Sequence, residues 1–262
     1  FYLRHVTQPL VLVAGGTGVA GRSVVAELVR RGETARVLSR RGGALGAGVE
    51  QAAGDLLTGA GLAQALDGVD IVIDTTDGKT RRTRPVLTTG AGNLLSAARE
   101  AGVSRAVLLS IVNVDRSTFG YYRAKTEQEH RYAASPLPTQ VVRATQFHEF
   151  VPMLCVPTSK LGLIPAFTGA RFQSIDTADV ARALVDAAQT PSVTADPVVV
   201  AGPQILTMRE MAQAWKAATG ARGRVTDLPM PGAMGSFWRN GSNLVPDNHF
   251  GTVTFDQWLA AQ

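Results

Sequence analysis

"LVLVAGGTGVAG", Leu10 to Gly21, decides the fold. Five apolar residues stop at a pair of glycines, as a buried strand does on entering a tight turn. Apolar residues then recur at Val19, Val24, Val25, Leu28 and Val29, one face of a helix that "RRGE", Arg30 to Glu33, brings to an end. Gly15, Gly18 and Gly21 therefore form a G-x-x-G-x-x-G spacing at a strand-to-helix junction, the context that raises such a motif above a plain turn. Residues without a Cβ let the backbone approach a pyrophosphate, whose charge is met by free N–H groups and the helix N-terminus.

The same rhythm continues outward. "TARVLS" (34–39) and "VEQAAGD" (49–55) read as strands, "GLAQALDG" (61–68) as a short helix and "VDIVIDTT" (69–76) as a strong fourth strand. "LTTGAGNLLSAAREAG" (87–102) reads as a helix, "RAVLLS" (105–110) as strand five, "STFGYYRAKTEQEH" (117–130) as a helix and "TQVVRAT" (139–145) as strand six. Strands alternating with helices imply an α/β fold with a doubly wound parallel sheet. After Ala144 the pattern loosens around Pro152, Pro157 and Pro165, leaving helices at 176–188, 208–220 and 254–261 and a strand at 197–202. The expected organisation is a nucleotide-binding domain over 1–150 and a smaller, less regular substrate lobe over 151–262, partly interleaved with the sheet and placed over the carboxyl ends of its strands.

The choice of dinucleotide turns on the end of strand two. An NAD site has an acidic residue there to accept from the ribose 2′-hydroxyl, whereas this chain has Ser39, Arg40 and Arg41. An arginine pairs with a 2′-phosphate in bidentate geometry, which favours NADP(H) over NAD(H). Both arginines are equally at home as solvated loop residues. Asp55 is an acceptor for the adenine amino group or an ordinary turn aspartate.

Composition narrows the classes. With 262 residues, 45% hydrophobic and 18% charged, the chain has a folded protein's balance. The single cysteine, Cys155, excludes an intrachain disulfide, and no Cys/His cluster has zinc spacing, so no metal is expected and a reducing, cytoplasmic setting fits. No window approaches the roughly 18 consecutive apolar residues of a membrane span, so neither insertion nor export is expected. The formal charge of +5 is carried mainly by arginine in short pairs, Arg30–Arg31, Arg40–Arg41 and Arg81–Arg82, without a long basic tract. An anionic small ligand explains that balance better than nucleic acid.

"VLVAGGTGVAG", "VLSRR", "GDLL", "DTT", "LLS", "YYRAK" and "VVRATQF", in this order, resemble the atypical short-chain dehydrogenases/reductases, particularly the NmrA-like branch. The resemblance covers essentially the whole length. It implies a Rossmann fold with NADP(H), the phosphates on Gly15, Thr17, Gly18, Val19, Ala20 and Gly21, and the 2′-phosphate near Ser39 to Arg41. It also implies the adenine near Asp55 and Leu56, Thr75 and Thr76 along the cofactor, and "RATQF" past the nicotinamide with Ala144, Thr145 and Phe147. The family's catalytic pattern, Y-x-x-x-K with a serine or threonine after strand five, is matched by Tyr121, Lys125 and Ser110; Tyr122 lacks the spacing.

The chemistry suits those residue types. A carbonyl receiving hydride on carbon needs a proton on oxygen, and a tyrosine whose pKa is lowered by a neighbouring ammonium can give it. Lys125 would also hold the nicotinamide ribose, and Ser110 would orient the carbonyl. In the alternative, Tyr121 is packing, Lys125 a solvated helix residue and Ser110 a turn cap. His148 is either a donor facing the substrate or a histidine hydrogen-bonded inside the lobe. Phe147, Phe150, Met153 and Phe167 form either an apolar pocket wall or core, while Trp215 and Trp258 read as core. The function expected is an NADPH-dependent oxidoreductase acting on a carbonyl or activated double bond of a small, partly apolar molecule. The alternative is a non-enzymatic NmrA-like NADP-binding sensor, and a weaker one a non-redox epimerase. Substrate identity, hydride stereochemistry and oligomeric state are not legible.

Overall fold

The computed structural model describes residues 8–40 and 48–262. Leu10–Ala14 forms β1, hydrogen-bonded in parallel on one side to β2 (Thr34–Ser39) and on the other to β4 (Ile71–Asp74). Covered on both faces and at both edges, β1 needs a continuous apolar run, and Val11 to Ala14 are fully buried. β3 (Val49–Ala53) pairs in parallel with β2 at the margin of the sheet, and its sequence VEQAA is accordingly polar and half-exposed. β5 (Arg105–Ile111) follows β4 in parallel, and β6 (Thr139–Ala144) and β9 (Val198–Val200) complete a seven-stranded sheet in the order β3-β2-β1-β4-β5-β6-β9. The chain thus reverses direction across the sheet between β1 and β4. In a doubly wound sheet that reversal opens a crevice at the carboxyl ends of the two strands.

The connections follow from local sequence. α1 (Val19–Arg30) buries Ala20, Gly21, Val24 and Leu28 on one face. α2 (Leu62–Ala65) is a single turn. The helix expected over 87–102 is a π-helical turn, Val86–Gly90, running into α3 (Ala91–Glu100). α4 (Gly120–Ala133) precedes β6, and α6 (Thr177–Gln189) precedes β9.

The contacts divide the chain into two compact units. One comprises the described part of Phe1–Leu109 with Ala124–Val142 and Ala181–Pro197, around a core that includes Leu12, Leu66, Leu94, Leu108 and Tyr132. The other comprises Ser110–Arg123, Arg143–Val180 and Val198–Gln262, with a core rich in Phe172, Met208, Trp215, Phe237 and Phe255. Trp215 and Trp258 are buried there, as expected.

The second unit is more regular than its sequence suggests. α5 (Phe150–Ser159) accommodates two prolines, since Pro152 lies in the first turn, where an N–H has no intrahelical acceptor. Pro157 falls in the last turn. β7 (Leu163–Phe167) pairs in parallel with β11 (Arg224–Leu228), and β8 (Arg171–Phe172) antiparallel with β10 (Leu206–Thr207). α7 (Met208–Thr219) opens on a capping box in which Thr207 Oγ1 accepts from Glu210 N, and its C-terminal cap, Gly220, takes the left-handed conformation. α8 (Gly232–Arg239) carries Phe237 and Trp238 inward, and α9 (Phe255–Ala260) has a second capping box, Thr254 with Gln257.

Candidate cofactor and catalytic site

The glycine turn is built so that side chains are excluded. Gly15 has φ +78°, and a Cβ there would stand 2.9 Å from the carbonyl carbon and oxygen of Thr75. A Cβ on Gly21 would lie 2.2 Å from the Gly15 carbonyl oxygen and 2.6 Å from Gly16 Cα. The turn closes with Gly18 N donating to Gly15 O at 2.9 Å. The residue capping α1 is Gly18, which has no side chain to occupy the helix N-terminus, and the first turn holds no acidic residue. Backbone close to the opening, with uncapped helical N–H groups beside it, is what a diphosphate requires. The residues therefore fit a dinucleotide.

The floor of that site is fixed by β4. Thr75 donates to the Ala14 carbonyl twice, from its N–H and its Oγ1, each at 2.9 Å, tying the ends of β1 and β4 together. Thr76 is buried, its N–H donating to Asp74 Oδ1 at 2.8 Å. At the end of β2, Ser39 is half-buried and Arg40 exposed; Arg41 lies outside the described residues. Asp55 Oδ1 accepts from Leu57 N at 2.8 Å, closing a turn that leaves Leu56 half-buried beside it.

Lys125 sits deep in the nucleotide-binding unit, only 4% exposed. Its Nζ donates to the Leu109 carbonyl at 2.8 Å and to Gln128 Oε1 at 2.7 Å. The amide of Gln128 passes the contact on, Nε2 donating to Asp74 Oδ2 at 3.0 Å and to Thr76 Oγ1 at 3.2 Å. Tyr132 OH donates to the same carboxylate oxygen at 2.8 Å. Burial lowers the pKa of Lys125, while Asp74, Asp77 and Glu129 act in the opposite sense and favour the ammonium. Burial first, and then Asp74, pushes Tyr132 well above its ordinary value and keeps it a donor. An ammonium has three N–H donors; two are bound within the unit, to Leu109 O and Gln128 Oε1.

Asp74, Gln128 and Tyr132 are hydrogen-bonded neighbours of Lys125 that the motif reading passed over. The signal was present in α4 itself. Its buried positions, Tyr122, Lys125, Gln128, Glu129 and Tyr132, follow a helical period, yet the three in the middle are polar. A helix that turns Lys, Gln and Glu inward must satisfy them internally.

In the other unit, Ser110 is 2% exposed and its Oγ has no hydrogen-bond partner among the described residues. Buried hydroxyls are normally satisfied, so this one is suited to meet a ligand oxygen rather than cap a turn. Tyr121 is half-buried, its ring 5.7 Å from that of Tyr122. Tyr122 is core: 5% exposed, edge-on to Phe119 and Phe237, its pKa pushed up to about 12 by burial against a weaker opposing hydrogen bond with Trp238. Ala144 and Thr145 are buried, and Phe147, half-buried, bridges to Ile175.

His148 departs from the expectation of a donor facing substrate. It is fully buried, with Nδ1 2.8 Å from Ser174 Oγ and Nε2 3.1 Å from the Val253 carbonyl, packed against Phe255 and Trp258. Both nitrogens are occupied inside the unit, so the internal alternative holds. Phe150 likewise packs on Phe172 and Trp238 in the core, and Met153 is 51% exposed. Burial lowers the pKa of His148 below its ordinary 6.5. A depressed folded-state value means that the unfolded chain takes the proton first, so the stability His148 contributes is present above pH 6.5 and lost as pH falls below it. Proton NMR should accordingly find the imidazole titrating below the ordinary histidine value, and thermal unfolding should shift to lower temperature as pH falls below 6.5. Titration of His148 at an unperturbed value would show that it faces solvent or ligand.

Comparison with known proteins agrees with this geometry. A family model described as NAD(P)H-binding matches residues 15–191. The chain is 30% identical over 207 residues to (4-alkanoyl-5-oxo-2,5-dihydrofuran-3-yl)methyl phosphate reductase of Streptomyces griseus, covering 77% of this chain and 71% of that protein. It is also 30% identical over 224 residues to an NAD(P)H azoreductase of Xenophilus azovorans, covering 80% and 74%. Among solved structures, an NADPH-dependent quinone oxidoreductase from Escherichia coli superposes with a TM-score of 0.74 at 17% identity, over 96% of this chain and 98% of that one. An epimerase from Methanothermobacter thermautotrophicus does so with a TM-score of 0.79 at 15% identity, over 96% and 90%. At such identities the structural likeness speaks for the fold, whereas the family match and the two reductases speak for descent. A glycine turn that excludes side chains, the match to the family model and these two reductases together place the chain in the NAD(P)H-binding family.

Proposed function

We propose that the chain is a reductase that uses NADPH in preference to NADH and acts on a carbonyl or an activated double bond of a small, partly apolar molecule. What supports this most is Lys125, a buried ammonium with two N–H groups held by Leu109 O and Gln128 and one left over. A buried ammonium is costly unless it is hydrogen-bonded, and one with a donor unspent is able to take a ribose hydroxyl. The Streptomyces griseus relative is by name a reductase of a 5-oxo-2,5-dihydrofuran, a ring double bond conjugated with a carbonyl, which supports an activated alkene as the acceptor class.

Gly15 to Gly21 would hold the reduced nicotinamide nucleotide, which would supply the hydride. Tyr121 gives a proton to the oxygen on which negative charge develops, and Ser110 Oγ donates a hydrogen bond to that oxygen. Lys125, one turn along α4, favours ionisation of the phenol through its charge and offers its third N–H to a ribose hydroxyl. Arg40 would pair with the 2′-phosphate, with Ser39 and Arg41 beside it in sequence.

Purified protein given NADPH and a panel of ketones, quinones and enones should consume the cofactor, followed at its absorbance maximum. Tight NADPH binding with no consumption by any class would instead favour an NADP-binding sensor. For cofactor choice, Arg40→Ala removes one charge-assisted contact and should weaken NADPH binding by about 10-fold while NADH binding changes less than about twofold. Equal losses for the two nucleotides, measured by fluorescence titration, would remove the phosphate-clamp reading.

A further inference from the structure

The loop that leaves β4 carries a charge the proposed reaction does not use. Lys79, Arg81, Arg82 and Arg84 fall within residues 79–84. β1 and β4 are the neighbours between which strand order reverses, so the loops after them flank the crevice at their carboxyl ends. The glycine turn forms one side. The other is the segment from Thr75 to Arg84.

That segment is a folded turn rather than a trailing loop. Thr80 Oγ1 and Thr83 Oγ1 are 2.8 Å apart, and Thr83 N and Arg84 N both donate to the Thr80 carbonyl, at 3.1 and 3.0 Å. A Cβ on Gly78 would stand 2.9 Å from Thr83 O and 3.1 Å from Arg84 Cα, so the turn doubles back on its own start. Arg81 and Arg82 are left at its exposed outer positions.

Six arginines of the described residues hold a carboxylate. Arg30 and Arg31 bind Glu27, Arg36 binds Glu50, Arg131 binds Glu127, Arg143 binds Asp115 and Arg209 binds Asp227. In the turn after β4, Lys79 takes the nearby Asp77 at 3.3 Å, but among the described residues Arg81, Arg82 and Arg84 have no carboxylate partner. Arg84 Nε is moreover buried with no acceptor. A buried guanidinium N–H without an acceptor is costly, and a planar guanidinium matches phosphate oxygens in bidentate geometry.

We infer that Arg81, Arg82 and Arg84 form a phosphate-recognition turn beside the crevice, taking either a phosphate monoester on the substrate or the diphosphate of the nucleotide. The inference rests on the reductase reading of this site and adds the chemical class of group that its second wall recognises. Calorimetry distinguishes the two sources. NADP-saturated protein is titrated with a hydroxymethyl-dihydrofuranone and with its phosphate monoester, and the apoprotein with NADPH, for the parent chain, for Arg81→Gln/Arg82→Gln and for Arg84→Lys. A substrate phosphate predicts at least about 10-fold tighter binding of the monoester than of the alcohol, a preference that collapses below about twofold in the double variant with NADPH affinity unchanged. A nucleotide phosphate predicts no such preference, and NADPH affinity lower by about 10-fold in the double variant. If the variants alter neither quantity, no phosphate is bound by this turn and the inference fails. Should either loss occur while NADPH is not consumed with either compound, the reductase reading fails and the phosphate turn stands.

Discussion

Gly21→Ala should reduce NADPH affinity by at least about 100-fold, a loss of about 2.7 kcal/mol. The new Cβ would lie 2.2 Å from Gly15 O, 2.6 Å from Gly16 Cα and 2.8 Å from the Gly15 carbonyl carbon. All three are backbone atoms, so no rotamer change relieves the overlap. Either α1 moves off the end of β1 or the glycine turn opens. α1 is anchored by Val24 and Leu28, both fully buried, so moving it also costs about 1–3 kcal/mol of packing. The helix N-terminus then no longer lies beside the turn, and the N–H groups that face a diphosphate lose their common aim. Gly18→Ala is the internal comparison: Gly18 has φ −75°, which alanine adopts, and a Cβ there meets only Gly15 O at 3.2 Å. Its effect should be roughly 10-fold smaller than that of Gly21→Ala. Fluorescence titration with a parallel thermal melt checks both, and comparable affinities for the two variants would refute the close-approach argument.

The same contrast explains why the nucleotide-binding half was legible. A glycine spacing has one physical meaning when an apolar run precedes it and a helical period follows, and β1, β4 and β5 are announced by runs of that kind. After Ala144 the helices expected at 176–188, 208–220 and 254–261 and the strand at 197–202 are found as α6, α7, α9 and β9, but the other elements there lack such announcements. α5 is written with Pro152 and Pro157, β8 and β10 are two residues each, and β7 carries Pro165, tolerated in a strand paired with β11. These elements persist because of what they pack on, and a core containing Phe172, Trp215, Phe237 and Trp238 is a tertiary fact that no local window displays.

The site was legible in part, for a related reason. Spacing separates Tyr121 from Tyr122, and burial agrees with the separation, since Tyr122 is the one sunk among Phe119, Phe237 and Trp238. Spacing has nothing to say of what holds Lys125. Asp74 is 51 residues earlier in sequence than Lys125, and only the meeting of β4 with α4 joins them through Gln128. The sequence leaves His148 open for the same reason. A histidine just after a strand end suggests a ligand-facing donor, but Ser174 and Val253, distant in sequence, claim both of its nitrogens.

The division of labour along α4 leads to the sharpest expectation. Tyr121→Phe should lower kcat by about 10²- to 10⁴-fold, the range contributed by a positioned general acid, with NADPH affinity within about twofold of the parent. On the proposed reading Tyr121 is a proton donor that acts in the transition state and is not needed to hold the nucleotide. Tyr122→Phe removes a hydroxyl from the core and should cost about 1 kcal/mol of stability with kcat intact. Lys125→Met behaves differently from both. It strips the donor from Leu109 O and Gln128 Oε1 and leaves Asp74 facing only neutral donors in Gln128, Tyr132 and the Thr76 N–H. Two stranded buried acceptors cost about 1–3 kcal/mol each, so the melting temperature should fall together with NADPH affinity. A variant set in which Tyr121→Phe keeps the parent kcat, while Lys125→Met still loses nucleotide and stability, would leave the lysine's role intact and remove the tyrosine from the chemistry.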